Sequence, residues 1–189
     1  MIIVLGTPGA GKTTVLSKAR EGFAIDFKEI NYGDLMVDIA LKEKIVQNRD
    51  EMRKMPLEKQ KMLQSDVAKA LGEMDGNIIL NTHALVSTPA GYLPGLSKIL
   101  FDNVKVEQLI LVTSPPKDVI RRRKDDTTRA RDQETEEQIQ ELININKSYL
   151  FAYSAISGAP AAIIENADGK LERAAEEAKK ILEARWGCK

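Results

Sequence analysis

Eight residues near the start of the chain have the types and spacing to bind phosphate. Residues 6–13 read Gly-Thr-Pro-Gly-Ala-Gly-Lys-Thr, the pattern G-x-x-x-x-G-K-[ST], directly behind the apolar run Met-Ile-Ile-Val-Leu. Glycines at these places let backbone wrap an anion without side-chain collisions, and the amides of a following helix then point at it. In this pattern Lys12 reaches the β- and γ-phosphates of a nucleoside triphosphate, and the Thr13 hydroxyl is a candidate Mg²⁺ ligand. Phosphoryl transfer spreads negative charge over the moving group, so it needs placed cations more than acids and bases. Guanidinium suits that task because its planar fork grips phosphate through two bonds. Arg121, Arg122, Arg123, Arg129 and Arg131 bracket a polar, threonine-rich segment, and Arg49 and Arg53 lie earlier in the chain. Arg121 reads as a solvated charge at a helix end. Arg129 and Arg131, in a segment with no core residues, read as functional.

The remaining reactive residues narrow the chemistry. His83 is the single histidine and Cys188 the single cysteine, so neither a zinc cluster nor an intrachain disulfide is expected. His83 follows an apolar run, at the end of a parallel strand where ligands bind in α/β sheets, although a plain hydrogen-bonding role suits it equally. Trp186 reads as a packing residue of the last helix.

These residues need elements to hold them. Strand candidates are Ile2–Leu5, Phe23–Phe27, Ile78–Asn81, Gln108–Thr113 and Ala162–Glu165. Continuous apolar runs such as Leu109-Ile110-Leu111-Val112 suit strands covered on both faces. Helical patterns alternate with them, which predicts an α/β fold with a parallel sheet and right-handed crossovers. One helix begins near Leu57 and turns Leu63, Val67, Ala70, Leu71 and Met74 to one face. Thr135-Glu136-Glu137-Gln138 reads as a capping box that opens a long helix. Ser114-Pro115 fits the cap and first position of a helix running to about Lys124. Leu171, Ala174, Ala175, Ala178 and Leu182 form the stripe of a last helix.

About fifty residues separate the second and third strand candidates, more than one crossover helix needs. The excess, about 30–75, reads as a helical insertion, and the segment from about 122 to 133 as a short exposed lid on a single domain of 1–189. Composition agrees with a soluble enzyme: hydrophobic residues make up 43 %, and 28 Lys+Arg balance 28 Asp+Glu. The zero net charge gives no global field to gather nucleic acid. No run approaches transmembrane length, so no membrane role and a cytoplasmic location are expected.

Several motifs together resemble the adenylate kinases of the archaeal type. They are the loop Gly-Thr-Pro-Gly-Ala-Gly-Lys-Thr-Thr, Ile30-Asn31-Tyr32-Gly33, Arg49-Asp50-Glu51-Met52-Arg53-Lys54, Thr82-His83, Thr88-Pro89-Ala90-Gly91-Tyr92-Leu93-Pro94-Gly95-Leu96 and Arg129-Ala130-Arg131-Asp132. The resemblance implies a P-loop NTPase fold with five parallel strands, a helical flap over the nucleoside monophosphate and a short lid without a zinc hairpin. It implies the reaction ATP + AMP ⇌ 2 ADP with Mg²⁺, and a homotrimer. Gly6, Thr7, Pro8, Gly9, Ala10, Gly11, Lys12, Thr13 and Thr14 would hold the ATP phosphates. Asn31, Tyr32, Gly33, Arg49 and Arg53 would line the monophosphate flap, with Arg53 as a phosphate clamp. His83, Thr88, Gly91 and Tyr92 would floor that site, and Arg122, Arg129 and Arg131 would close on the transferring phosphoryl group.

One position departs from the family. Asp usually precedes Thr-His, where a carboxylate helps to hold hydrated Mg²⁺; here it is Asn81. An amide still bonds a metal-bound water but removes a negative charge, so weaker metal attraction is expected. Two rival functions stay open. One is a P-loop kinase acting on another nucleoside monophosphate or small acceptor. The other is a related ATPase that gates an assembly partner. ADP formation with and without AMP separates them.

Overall fold

The computed structural model describes residues 1–52, 55–88, 90–125 and 134–187. The core is a five-stranded parallel sheet in the order β2-β3-β1-β6-β7. Its strands are β1 (Ile2–Leu5), β2 (Lys28–Asn31), β3 (Ile78–Asn81), β6 (Gln108–Thr113) and β7 (Ala161–Glu165). A separate antiparallel hairpin pairs β4 (Leu85–Thr88) with β5 (Gly91–Pro94). The helices are α1 (Lys12–Arg20), α2 (Tyr32–Lys42), α3 (Arg49–Met52), α4 (Leu57–Gly72), α5 (Lys98–Asn103), α6 (Pro116–Asp125), α7 (Glu136–Ser157) and α8 (Leu171–Trp186). The sequence-based fold class holds, with helices on both faces of a parallel sheet.

The pleat divides the core in two, because successive strand residues face opposite ways. On one face Ile3, Leu5, Ile78, Leu80, Leu109 and Leu111 pack with Leu63, Val67 and Leu71 of α4, Leu100 of α5, and Leu150 and Tyr153 of α7. On the other, Ile2, Val4, Ile79, Ile110, Val112 and Ile164 meet Val15 and Leu16 of α1 and Ala174, Ala178, Leu182 and Trp186 of α8. Trp186 is thus a packing residue, as expected. Phe27 lies 5.8 Å from its ring, between centroids.

Three expectations need correction. Phe23–Phe27 is not a strand. The second strand is the next segment, Lys28–Asn31, where only Ile30 is buried. It sits at the sheet edge, so its sequence is mostly polar. Phe23, Ile25 and Phe27 instead cover the α1/α8 core. Second, α6 starts at Pro116, and Ser114 does not cap it; the Ser114 hydroxyl donates to the Asn166 carbonyl at 2.8 Å. Third, the Leu85–Pro94 hairpin went unforeseen. The capping box does form: Thr135 Oγ1 accepts from Gln138 N at 3.3 Å, and Thr135 N donates to Gln138 Oε1 at 2.8 Å. Helices α2, α3 and α4 fill the long interval between β2 and β3. No helix among the described residues is long and apolar enough to cross a membrane.

Candidate active site

The phosphate loop lies at the carboxyl end of β1, in the middle of the sheet. Gly11 caps α1 at φ 81°, a left-handed conformation, and no side chain caps the helix. The first-turn amides are therefore left for an anion. A Cβ on Gly11 would collide with Asn166 Nδ2, so the position requires glycine twice over, by dihedral and by space.

Contacts from distant segments hold the loop's outer side. Asn166 Nδ2 donates to the Ala10 carbonyl at 3.0 Å. Arg123 Nε donates to the Pro8 carbonyl at 2.9 Å, and its Nη1 pairs with Glu134. Arg122 Nη2 donates to Asn166 O at 3.0 Å and to Asp168 Oδ1 at 2.7 Å, and Nη1 reaches Ser114 Oγ at 3.1 Å. Arg121 also pairs with Asp168. Burial pushes the Asp168 carboxyl upward, but the Arg122 hydrogen bond and charge outweigh it and hold the group below its ordinary value.

On the loop's inner side, Lys12 and His83 meet the same carbonyl. Lys12 Nζ donates to the Gly6 carbonyl at 3.0 Å. His83 Nδ1 lies 3.1 Å from the same oxygen. A carbonyl only accepts, so this contact puts the proton on Nδ1. A cavity of about 250 Å³ opens here, bounded by Gly6, Thr7, Pro8, His83, Ser87 and Arg123. It joins the phosphate loop to the hairpin.

Among the residues expected to line the monophosphate site, Asn31 caps α2, its side chain accepting from Asp34 N at 3.2 Å. Gly33 lies in the first turn. Tyr32 is buried, its hydroxyl meets no hydrogen-bond partner among the described residues, and burial pushes its pKa up to about 12. Arg49 opens α3. Thr88 closes the hairpin turn, with Oγ1 donating to Gly91 O at 2.8 Å and accepting from Ala90 N at 3.3 Å. Tyr92 is exposed, and its carbonyl accepts from Tyr149 OH at 3.1 Å. Arg53, Arg129 and Arg131 lie outside the described residues.

At the candidate metal position, Thr13 is exposed in the first turn of α1, and Thr14 follows it. Asn81 is 6 % exposed at the end of β3, and its Nδ2 donates to Glu29 Oε1 at 3.1 Å. Among the described residues no three His, Cys, Asp or Glu side chains gather to hold a metal. That donor set fits Mg²⁺, which keeps several waters and is bound mainly through substrate phosphates.

Comparison with known proteins decides the family. Residues 5–140 match the model of an AAA domain family. An adenylate kinase of Pyrococcus horikoshii is 43 % identical over 97 % of this chain and 95 % of its own length. Those of Thermoplasma acidophilum and Methanothermobacter thermautotrophicus are 40 % and 37 % identical, over 95 % and 97 % of this chain and 97 % and 99 % of theirs. The chain belongs to the adenylate kinase family. The fold extends further: a shikimate kinase from Acinetobacter baumannii, solved in complex with shikimate, superposes with TM-score 0.58 at 15 % identity, covering 98 % of this chain and 93 % of that one.

Sequence reasoning grouped Arg123 with the arginines around the polar segment without giving it a role of its own, and missed Glu134, Asn166, Asp168 and Glu29. Asn166 and Asp168 had a usable signal, since they directly follow a strand at the ligand-binding end of the sheet. Glu29 had none, because the strand that carries it was placed five residues too early.

Proposed function

We infer that this chain is an adenylate kinase, which moves the γ-phosphoryl group of ATP reversibly onto AMP and yields two ADP. The observation that carries this reading is the cavity shared by the phosphate loop and the hairpin motif, in a chain of this family. Donor and acceptor phosphates would meet there in a line.

An oxygen of the AMP phosphate attacks the γ-phosphorus, and the bond to the β,γ-bridging oxygen breaks. The AMP phosphate needs no base, so the protein's task is placement and charge. Residues Gly6 to Thr14 would wrap the β- and γ-phosphates, with the α1 amides facing them. Lys12 would leave the Gly6 carbonyl for the phosphate oxygens. Arg123 already borders the cavity, while Arg122 braces the loop from behind. Arg53, Arg129 and Arg131 would add charge from the flap and lid, and Asn31, Tyr32, Gly33, Arg49, His83, Thr88, Gly91 and Tyr92 would form the AMP side. Mg²⁺, held by the phosphates with the Thr13 hydroxyl and with Asn81 through water, would neutralise charge on the triphosphate. The flap would span about 30–75 and the lid about 122–133. A homotrimer in the cytoplasm completes the reading, and native mass spectrometry tests the former.

The deciding experiment measures ADP formation from ATP with and without AMP, then with a panel of triphosphate donors and monophosphate acceptors. A strong AMP requirement is expected. Slow phosphate release indifferent to AMP would replace this reading with that of an ATPase, and preference for another acceptor would replace it with that of a different kinase.

A further inference from the structure

Asn81 pairs with Val4 of β1 and with Asn31 of β2. It therefore shares the face of Val4 and Ile79, the one that α1 covers. Glu29 pairs with Ile79 and shares that face too, two residues before the end of β2. Its side chain reaches forward to the strand ends, where the buried Asn81 amide donates to Oε1 at 3.1 Å. Glu29 forms no ion pair with any described Lys or Arg. An exposed charge on an edge strand has an ordinary use, which is to discourage pairing with another sheet. That use does not call for a buried amide donor to aim the carboxylate. The aim is toward the strand ends beside α1, whose first turn carries Thr13.

We propose that Glu29 supplies the carboxylate of the divalent-cation site, accepting a hydrogen bond from a metal-bound water, and that Asn81 is the residue that positions it. The negative charge absent from position 81 stands one strand over. Asn81 does two things in this arrangement. Its Nδ2 fixes Glu29, and its Oδ1 is left to accept from a second metal-bound water. The inference rests on the kinase reading for the presence of a nucleotide-bound metal. N81D alone puts two carboxylates in contact, and their mutual repulsion offsets the charge gained.

The test is an electron paramagnetic resonance titration with Mn²⁺. It measures free Mn²⁺ over the complex of the enzyme with β,γ-imido-ATP, which needs no acceptor and no turnover. E29Q should weaken Mn²⁺ binding to that complex about five-fold, as for a partly solvated charge acting through water. Affinity for the nucleotide in EDTA and the melting temperature should stay unchanged. N81D alone should gain less than two-fold. The double variant E29Q/N81D should return to within two-fold of wild type, because the charge is back on the site. Mn²⁺ affinity unchanged in E29Q overturns the proposal, and so does a loss in E29Q that N81D fails to restore. A wild type that makes no AMP-dependent ADP overturns the kinase reading instead, and the titration still decides Glu29.

Discussion

The phosphate loop is gripped from several directions, whereas the hairpin Leu85–Pro94 rests on one helix. Arg123 from α6 and Asn166 from the segment after β7 bind loop carbonyls, and His83 and Lys12 meet a third. The hairpin takes Tyr149 OH on the Tyr92 carbonyl, and at its base Tyr153 OH on Ala84 O, both from α7. Val86, Tyr92 and Leu93 are exposed. Carbonyls satisfied by distant side chains fix a backbone before any ligand arrives, which is what electrostatic preorganisation requires. A hairpin with exposed apolar residues and few anchors has its low-stability states within reach. On the proposed reading, the donor half is built in advance and the acceptor half is left for its substrate to complete.

The sharpest break of this contrast is Lys12→Ala. On the proposed reading its ammonium is the cation that the loop itself contributes to the phosphates, so kcat/KM should fall by about 10³-fold or more. The melting curve should hold, because the Lys12 side chain is only part-buried where it donates to the Gly6 carbonyl. Transfer close to the wild-type rate would remove the loop from the reaction.

A matched pair of glycine substitutions sharpens the comparison next. Gly11→Ala must hold φ 81° and displace Asn166 Nδ2 from its bond to Ala10. Strain plus a lost buried hydrogen bond should cost about 2–4 kcal/mol in urea denaturation, with weaker ATP binding. Gly91→Ala meets φ 118° but nothing within 4 Å. Only strain is at stake there, about 1–2 kcal/mol. Equal losses at the two positions would dissolve the distinction between a gripped loop and an open hairpin.

How much of this was legible beforehand follows the same division. The loop, β1, β3, β6 and the capping box at Thr135 carry local signals, since each depends on neighbours within a few residues. The grip on the loop does not. Arg122 to Asp168 spans 46 residues and Asn166 to Ala10 spans 156. No periodicity encodes such a pairing. The strand β2 was misplaced because Phe23 and Phe27, in the segment before it, look more strand-like than the edge strand itself. An edge strand needs only one buried residue, Ile30, and Phe27 is apolar for the sake of Trp186. The hairpin was hidden because Gly91 and Pro94 break the usual strand pattern.

Tyr153→Phe tests the anchor of the acceptor side. The hydroxyl donates to Ala84 O at 2.7 Å and accepts from Leu96 N at 3.2 Å, in a buried position. Removing it takes the hydroxyl from Leu96 N at the base of the hairpin, while Ala84 O keeps the bond from Gly95 N at 2.9 Å. A loss of about 1–3 kcal/mol is expected, with KM for AMP raised more than KM for ATP. If KM for ATP rises instead, the hairpin does not belong to the acceptor half.

The smallest expected effect lies at the outer end of the donor brace. Asp168 receives Arg122 Nε at 3.1 Å and Nη2 at 2.7 Å, and Arg121 pairs with it as well. Its side chain is 31 % exposed, so water and salt screen much of the attraction. Burial raises the carboxyl, and the Arg122 hydrogen bond and the charges of both arginines more than reverse that. A carboxyl whose folded value lies below its unfolded one adds stability above the unfolded value. That addition fades as pH falls through the folded value and is gone below it. Asp168→Asn should therefore destabilise slightly at pH 7, less than Tyr153→Phe does, and the gap to wild type should close as the pH falls below the ordinary carboxylate range. Urea midpoints of both proteins from neutral to acid pH, at low and high salt, give the answer. A gap that widens in acid would mean that the charge on Asp168 is not what braces Arg122. A gap indifferent to pH would assign the brace to hydrogen-bond geometry, and the donor half would then owe its rigidity to Asn166 rather than to the arginines.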